Sequence, residues 1–403
     1  MNDYLLSGLR VIDCATVIAA PAAAMMLADY GADVIKIEAP GEGDMLRMLS
    51  HLPTSPNTGE DWFWQLDGRN KRGLTLDLTH ADGQAVLRRL IAGADVFITN
   101  LPFPVRDHLG VSFEAVRALN QRLIYASLTA YGETGPERER KGFDQLAYWA
   151  RSGLMDLMRA PDTTPTQGLP GMGDHPTAVA LFASIMTALL HRERTGEGGM
   201  AHTSLLANGL WSAAGVAQGA IAGGDTAAYR ERMRVYPAMM RPYAAADGRW
   251  LQFNMVRTDA LLDLLLTALD AADLLTDPRF GDPETLWENR AAFGDAIAAR
   301  VAQADSDHWL RVFAELGVPV NRVAVIEEAA TDEQLLANEI VAPPEDPQMQ
   351  LPLLIDHPVR ITSVPRVGPR RAPGMGEHAT DILAELGYDP AEIQQLRDDG
   401  VLG

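Results

Sequence analysis

Short apolar runs and longer helix-like blocks take turns along the first third of the chain. Val11-Ile12-Asp13-Cys14 reads as a strand. Pro21 suits the first turn of a helix running through Leu27, and Gly31 suits its end. Asp33 to Ile37 is the next strand. The pattern then repeats, with a strand at Leu74 to Leu78, a helix from about Ala81 to Ile91 and a strand at Asp95 to Thr99. A helical stretch, Phe113 to Leu119, leads into the strand Leu123 to Thr129. Strands separated by helices predict a parallel α/β sheet. Residues 176–195 are apolar on nearly all sides until His191-Arg192-Glu193-Arg194, which predicts a buried helix with a solvated end. The glycine-rich stretch from Gly196 to Gly199 stops it, and a second long helix is expected from Ser204 to Ala222. After Gly223 the character changes. Tyr243 to Phe253 predicts a hairpin turning at Asp247-Gly248, with helices at about Thr258 to Leu269 and Glu288 to Gln303. Pro and Gly punctuate residues 340–375, and helices are expected near Ala379 to Glu385 and Pro390 to Arg397.

Composition narrows the function. The 403 residues are 47% hydrophobic and 22% charged, enough for two or more domains with a sizeable core. The formal net charge of -20 repels phosphodiester backbones, so nucleic acid is not an expected partner. Arg69-Asn70-Lys71-Arg72 and the run Arg138 to Lys141 are local basic exceptions that leave room for a phosphorylated small molecule. The single cysteine, Cys14, excludes an intrachain disulfide and a cysteine-based zinc site. The start MNDYLLSGLRVIDC lacks the basic and apolar regions of a signal peptide. No window offers about 18 uninterrupted apolar residues, so no membrane partner and a cytoplasmic location are expected. The first strand–helix junction, Ala15 to Pro21, contains no glycine, so a dinucleotide fingerprint is absent, as is a Walker-type loop. The nine His residues show no metal-ligand spacing, and no metal is expected. There is no G-x-S-x-G, and Cys14 lies in a predicted buried strand, which counts against Ser or Cys hydrolase chemistry.

Gly171-Met172-Gly173-Asp174-His175-Pro176-Thr177 precedes the buried helix. The glycines let the backbone approach another group closely. The helix N-terminus would favour an ionised Asp174, and an ionised, oriented carboxylate can act as a nucleophile. Asp174 as a helix cap is the competing assignment. His175 alone reads as a structural or solvated residue. Lys141-Gly142-Phe143-Asp144 follows a charged loop, where Lys141 either meets an anionic ligand or is simply solvated.

These residues, in their order and spacing, resemble the class III CoA-transferases, the family that includes formyl-CoA transferase, carnitine CoA-transferase and α-methylacyl-CoA racemase. The resemblance covers nearly the whole chain. It is carried by Gly8 to Asp13 with Ala20-Pro21, Gly31 to Glu38, Gly43-Asp44-Met45 with Arg47, Asn70-Lys71-Arg72 with Leu76-Asp77-Leu78, and Ala94-Asp95-Val96 with Asn100. His191 to Gly198 and Gly376-Glu377-His378 with Thr380 complete it. The resemblance implies a large Rossmann-like α/β domain built from both chain ends (1–224 and 326–403), a smaller α+β domain at 225–325, and an intertwined ring homodimer. It implies a CoA thioester as substrate, with no permanently bound cofactor, and a carboxylic acid as the second substrate. Asp174 falls on the catalytic aspartate, which would form an aspartyl anhydride and then an aspartyl-CoA thioester. Ile18, Ala19, Leu76, Thr79, Asn100, Leu101, His108, Lys141 and Asp144 fall on CoA-contacting positions. Two departures stand out: Ala39 and His108 occupy positions where formyl-CoA transferase has arginines. Arg47, Arg72 or Arg106 are then candidates for the phosphate contacts. The glycine-rich active-site loop of formyl-CoA transferase has no clear counterpart around Asn254 to Arg257. Racemases of the family carry a His before the residue matching Asp144. Here Phe143 stands there, and a phenyl ring cannot accept an α-proton, so transfer is favoured over racemisation. The other alternative is an acyl-CoA-binding homologue without activity, against which an intact Asp174 argues. The apolar residues Trp149, Leu154, Met155, Leu157 and Met158 suggest either an acid larger than formate or oxalate, or ordinary core packing.

Overall fold

The computed structural model describes residues 4–56, 58–160, 162–253 and 259–403. The N-terminal part builds β1 (Arg10–Asp13), α1 (Ala19–Asp29), β2 (Asp33–Glu38), α2 (Trp62–Gly68), β3 (Arg72–Thr75), α3 (Ala81–Ala92), β4 (Val96–Thr99), β5 (Ile124–Thr129), α4 (Asp174–Thr195) and β6 (Gly199–Ser204). The six strands form one sheet in the order β3-β2-β1-β4-β5-β6, with every neighbouring pair parallel. The fold is therefore α/β with a doubly wound parallel sheet, as the alternation of elements predicts.

The strands are apolar on both faces because helices cover both. Val11, Val96, Ile98 and Ala126 join α1 and α4 in one core, where Leu181, Phe182 and Ile185 of α4 are buried. Ile12, Ile35, Phe97 and Tyr125 face the other way. They pack with Val86, Leu87, Leu90 and Ile91 of α3 and with Ile382, Leu383, Ile393 and Leu396 from helices Ala379–Glu385 and Pro390–Asp398. All eleven residues of α1 are buried, and its six alanines let the helix lie close along α4.

Two compact units are present. One comprises residues up to Arg159, Thr163–Ala217 and Asp332–Gly403; the other is built mainly from Gln218–Thr331. The second unit has its own core around Tyr243, Leu251, Phe253, Ile297 and Phe313. Its hairpin pairs Pro242–Ala244 with Trp250–Phe253 across a turn where Gly248 has φ +78°, and Val320–Arg322 adds a third strand. Among the described residues, no helix is long and apolar enough to cross a membrane.

Three expectations differ from the structure. The strand expected at Leu74 to Leu78 ends at Thr75, because its partner β2 stops at Glu38 and the chain then turns away. Strand β6 has no counterpart among the predicted elements: Gly-Met-Ala-His-Thr-Ser carries little apolar pattern, and pairing with β5 makes it extended. The single helix expected from Ser204 to Ala222 is two, Leu205–Ser212 and Ala214–Ile221. Gly209 and Gly215 weaken helix propensity there, and Gly209 is required where its α-carbon approaches the Tyr148 carbonyl.

Candidate active site

In an open α/β sheet, ligands collect beyond the carboxyl ends of the strands, where the strand order reverses. Here the reversal lies between β1 and β4. Ile18 and Ala19 follow β1, Leu76 and Thr79 follow β3, Asn100, Leu101 and His108 follow β4, and Lys141 and Asp144 follow β5. Each of the nine residues thus lies in the chain that follows the carboxyl end of a strand. At the crevice itself the Asn100 side chain ties the two diverging loops together. Its Oδ1 accepts from the Thr16 N–H at 2.9 Å and its Nδ2 donates to the Thr16 carbonyl at 2.7 Å.

The loop after β1 is held by buried charges. Lys36, which stands among the apolar residues of β2, donates to the Ala15 carbonyl and to Asp44 Oδ2 at 2.6 Å. Asp44 Oδ1 accepts from the N–H groups of Val17 and Leu46, each at 2.9 Å. Lys71 donates to Asp13 at 2.9 Å and to the Pro21 carbonyl at 2.7 Å. Val17 has φ +69°, an unfavourable setting for a β-branched residue, and these bonds hold it there. Burial pushes the Cys14 thiol up to about 12, which removes it as a nucleophile at neutral pH.

Asp174 opens α4, whose N-cap is Gly173. Asp144 fixes the preceding loop: its buried Oδ2 accepts from Gly171 N–H at 3.0 Å and Gly173 N–H at 3.4 Å. Asp144 begins a wide π-helical turn, Gln145–Arg151, which also supplies Tyr148. A Cβ on Gly173 would lie 2.5 Å from the Tyr148 ring, so only glycine lets the loop lie so close. A Cβ on Gly171 would lie 3.4 Å from Ile18 Cδ1, so the loop before α4 touches the loop after β1.

Among the described residues, nothing donates a hydrogen bond to the Asp174 side chain. It does not cap the helix. Nor does the helix N-terminus dominate its ionisation, as the sequence suggested. Burial first, and then the nearby Asp144 and Asp67 charges, push its carboxyl up to about 7 against the opposing influence of His175. The result is a half-buried carboxylate, weakly solvated and unbound, at the open end of a 22-residue helix.

The structure places the other expected residues as follows. The Leu76 side chain is buried in the core. The three arginines offered for phosphate contacts are already committed. Arg47 forks onto Glu38 at 2.8 and 2.7 Å, Arg72 pairs with Asp33 and Glu385, and buried Arg106 bonds Ser127 and the carbonyls of Leu101 and Leu128. Lys141 and His108 are exposed, as is Arg138, whose guanidinium lies 3.8 Å from the Phe103 ring centre. Trp149 and Leu154 belong to the core, whereas Met158 is exposed. Positions Asn254 to Arg257 lie outside the described residues. Among the described residues, one His–carboxylate grouping, Asp29, Asp356 and His357, has the spacing of metal ligands. Its carboxylates already pair with Arg69 and Arg366, whose positive charge opposes a bound cation. Sequence reasoning missed the partner of His175: Nε2 lies 3.3 Å from the buried Asp67 of α2. No local pattern signals a contact across 108 positions.

The chain is similar to known proteins over nearly its whole length. A model of CoA-transferase family III matches residues 6–379. The chain is 28% identical to (R)-2-hydroxy-4-methylpentanoate CoA-transferase of Clostridioides difficile, covering 99% of each chain. It is 30% identical to cinnamoyl-CoA:phenyllactate CoA-transferase of Clostridium sporogenes, covering 99% of this chain and 97% of the relative. A crystal structure of a CAIB/BAIF family protein from Brucella suis superposes with a TM-score of 0.81 at 29% identity, covering 95% of this chain and all of that one. The sheet, the loop before α4 and these similarities lead to one assignment: the chain belongs to CoA-transferase family III and is an enzyme of that class.

Proposed function

We propose that the protein moves CoA from an acyl-CoA donor to a carboxylic acid acceptor, with Asp174 as the covalent carrier. The observation that carries this reading is the Asp174 carboxylate itself, raised to about 7 and, among the described residues, without a hydrogen-bond donor. A desolvated, basic carboxylate is a better nucleophile than a solvated one. An Asp174 oxygen attacks the donor thioester carbon. The C–S bond breaks, CoA leaves as thiolate, and a mixed anhydride remains. The thiolate then attacks the Asp174 carbonyl carbon, releasing the donor acid as carboxylate and leaving an aspartyl-CoA thioester. The acceptor carboxylate attacks that thioester and expels the thiolate, which takes the acyl group from the second anhydride and restores Asp174. Every displacement exchanges one anion for another, so no proton, metal or nucleotide is consumed.

Oxyanion stabilisation in the loop is narrow. The N–H groups of Gly171 and Gly173 are spent on Asp144, and Pro176 has none. The Asp174 N–H is the remaining donor at the helix start, and one such donor contributes about 3 kcal/mol. Ile18, Ala19, Asn100 and Leu101 frame the pantetheine side of the crevice in this reading, with the exposed cations Arg138 and Lys141 available to the phosphates. Asp144 acts by holding the loop. The acids in the relatives' names, 2-hydroxy-4-methylpentanoate and phenyllactate, set the first acceptors to screen. A homodimer belongs to the same reading: Trp211 is 78% exposed, and Leu190 and Leu210 lie open in the same unit.

The test is to add donor acyl-CoA without acceptor, quench, and weigh the peptide containing Asp174. A CoA-sized mass increase that hydroxylamine releases is expected, and Asp174→Ala should lack it. An adduct on another residue would refute the mechanism.

A further inference from the structure

Asp174 works among negative charges. Asp144 and Asp67 both bear on it, and the protein as a whole carries -20. The acid substrate adds another anion at each half of the exchange. Among the described groups that bear on Asp174, only His175 can be positive. Its ring is held at both nitrogens. Nδ1 lies 3.2 Å from the Gly171 carbonyl and Nε2 lies 3.3 Å from Asp67 Oδ1. A carbonyl and a carboxylate only accept, so both contacts are hydrogen bonds only when both ring nitrogens carry protons. That species is the imidazolium.

The surroundings explain why Asp67 is needed. His175 is the second residue of α4, where the helix dipole opposes a cation. Burial opposes it too, and the charges of Asp67 and Asp174 outweigh both, so the His175 pKa is raised. Asp67 is fully buried near the C-terminal end of α2, and among the described residues its Oδ2 has no hydrogen-bond partner. Lys71 also feels the Asp67 charge, but its own ammonium is spent on Asp13 and the Pro21 carbonyl. His175 is therefore the group that answers the Asp67 carboxylate. The His175 side chain remains 42% exposed.

We propose that Asp67 and His175 form a fixed carboxylate–imidazolium pair that supplies the positive counter-charge for the Asp174 carboxylate. The inference rests on reading Asp174 as the nucleophile. Both are positioning residues, since they act through Asp174. Without the imidazolium, Asp174 ionises at higher pH and the acid side of the activity profile moves up.

The experiment measures kcat/KM for one donor acyl-CoA from pH 5.5 to 9.5 in the native enzyme, Asp67→Asn and His175→Gln. His175→Gln should show the acid limb displaced upwards by about one pH unit, and Asp67→Asn by less, because it also removes a negative charge that raises the Asp174 pKa. In His175→Gln the displacement is about a tenfold loss at pH 6 that disappears by pH 9. Histidine-labelled native enzyme provides a reading that does not depend on how the variants fold. The His175 nitrogen signals, assigned with His175→Gln, should remain those of imidazolium above about pH 6.5, where an unperturbed imidazole loses its proton. A neutral His175 at that pH, or an equal loss at every pH with an unmoved limb, would overturn the inference. Trapping the Asp174–CoA adduct in the native enzyme keeps the two readings apart. No adduct defeats the nucleophile, whereas an adduct with an unmoved limb defeats the pair alone.

Discussion

Replacing Asp174 with Asn should abolish transfer and, above neutral pH, make the protein more stable. The carboxyl is pushed up to about 7 in the folded chain, chiefly by burial and then by Asp144. In the unfolded chain it ionises near 3.8, the ordinary value. Between these two values the folded state binds the extra proton, so stability falls as pH rises through that window. The penalty is fully present above about 7 and absent below about 4. Taken whole, the difference amounts to about 4 kcal/mol, and residual solvent contact reduces it to roughly 2 kcal/mol. An amide of the same shape carries no charge and escapes the penalty. Asp174→Asn should therefore gain about 2 kcal/mol at pH 8, and more than half of that gain should vanish by pH 5. Denaturant unfolding at equal protein concentration, at both pH values, measures it, alongside a transfer assay. A mere helix cap predicts otherwise, since Asn and Asp cap about equally: unchanged stability and retained activity. Either result would refute the account, and so would a gain that did not depend on pH. The expected outcome is an active-site group that costs stability because its function needs it desolvated.

Two further outcomes follow from the site and its surroundings. Phe143, 58% exposed beside Asp144, offers no base, so a 2-methylacyl-CoA incubated with the enzyme in deuterated water should stay unlabelled at the α-carbon. Labelling as fast as transfer would show that another residue supplies the base. If the chain forms the intertwined dimer that the family resemblance implies, sedimentation at nanomolar concentration should find a dimer that does not dissociate, because interlinked chains cannot part without unfolding; a stable 43.7 kDa monomer would contradict it.

Local rules carried the first half of the fold. Apolar runs a few residues long, bounded by Pro21 and Gly31 or by Gly93, specify β1, α1, β2 and α3 whatever their neighbours do. β6 escaped because its own residues carry no strand preference, and β5 beside it supplies the reason it is extended. Asp174 was legible through its glycines and the apolar helix behind it, though local pattern alone favours a helix cap, and only the family resemblance turns the assignment to a nucleophile. The positions expected to contact CoA are spread over four stretches of the chain, each of which leaves the carboxyl end of a parallel strand.

The sequence by itself determined that strands and helices alternate, that Cys14 is alone, that no nucleotide loop is present, and that a carboxylate stands before a buried helix. Tertiary structure decided the electrostatics. The helix start alone predicts an easily ionised Asp174, whereas burial beside Asp144 and Asp67 reverses the sign. The same holds for Arg47, Arg72 and Arg106, which look like free cations in the sequence and are each claimed by a folded partner. Charge effects depend on what lies within a few ångströms in space and on how much water is left there. Residues 108 positions apart, such as Asp67 and His175, acquire a joint chemistry only when the chain has closed around them.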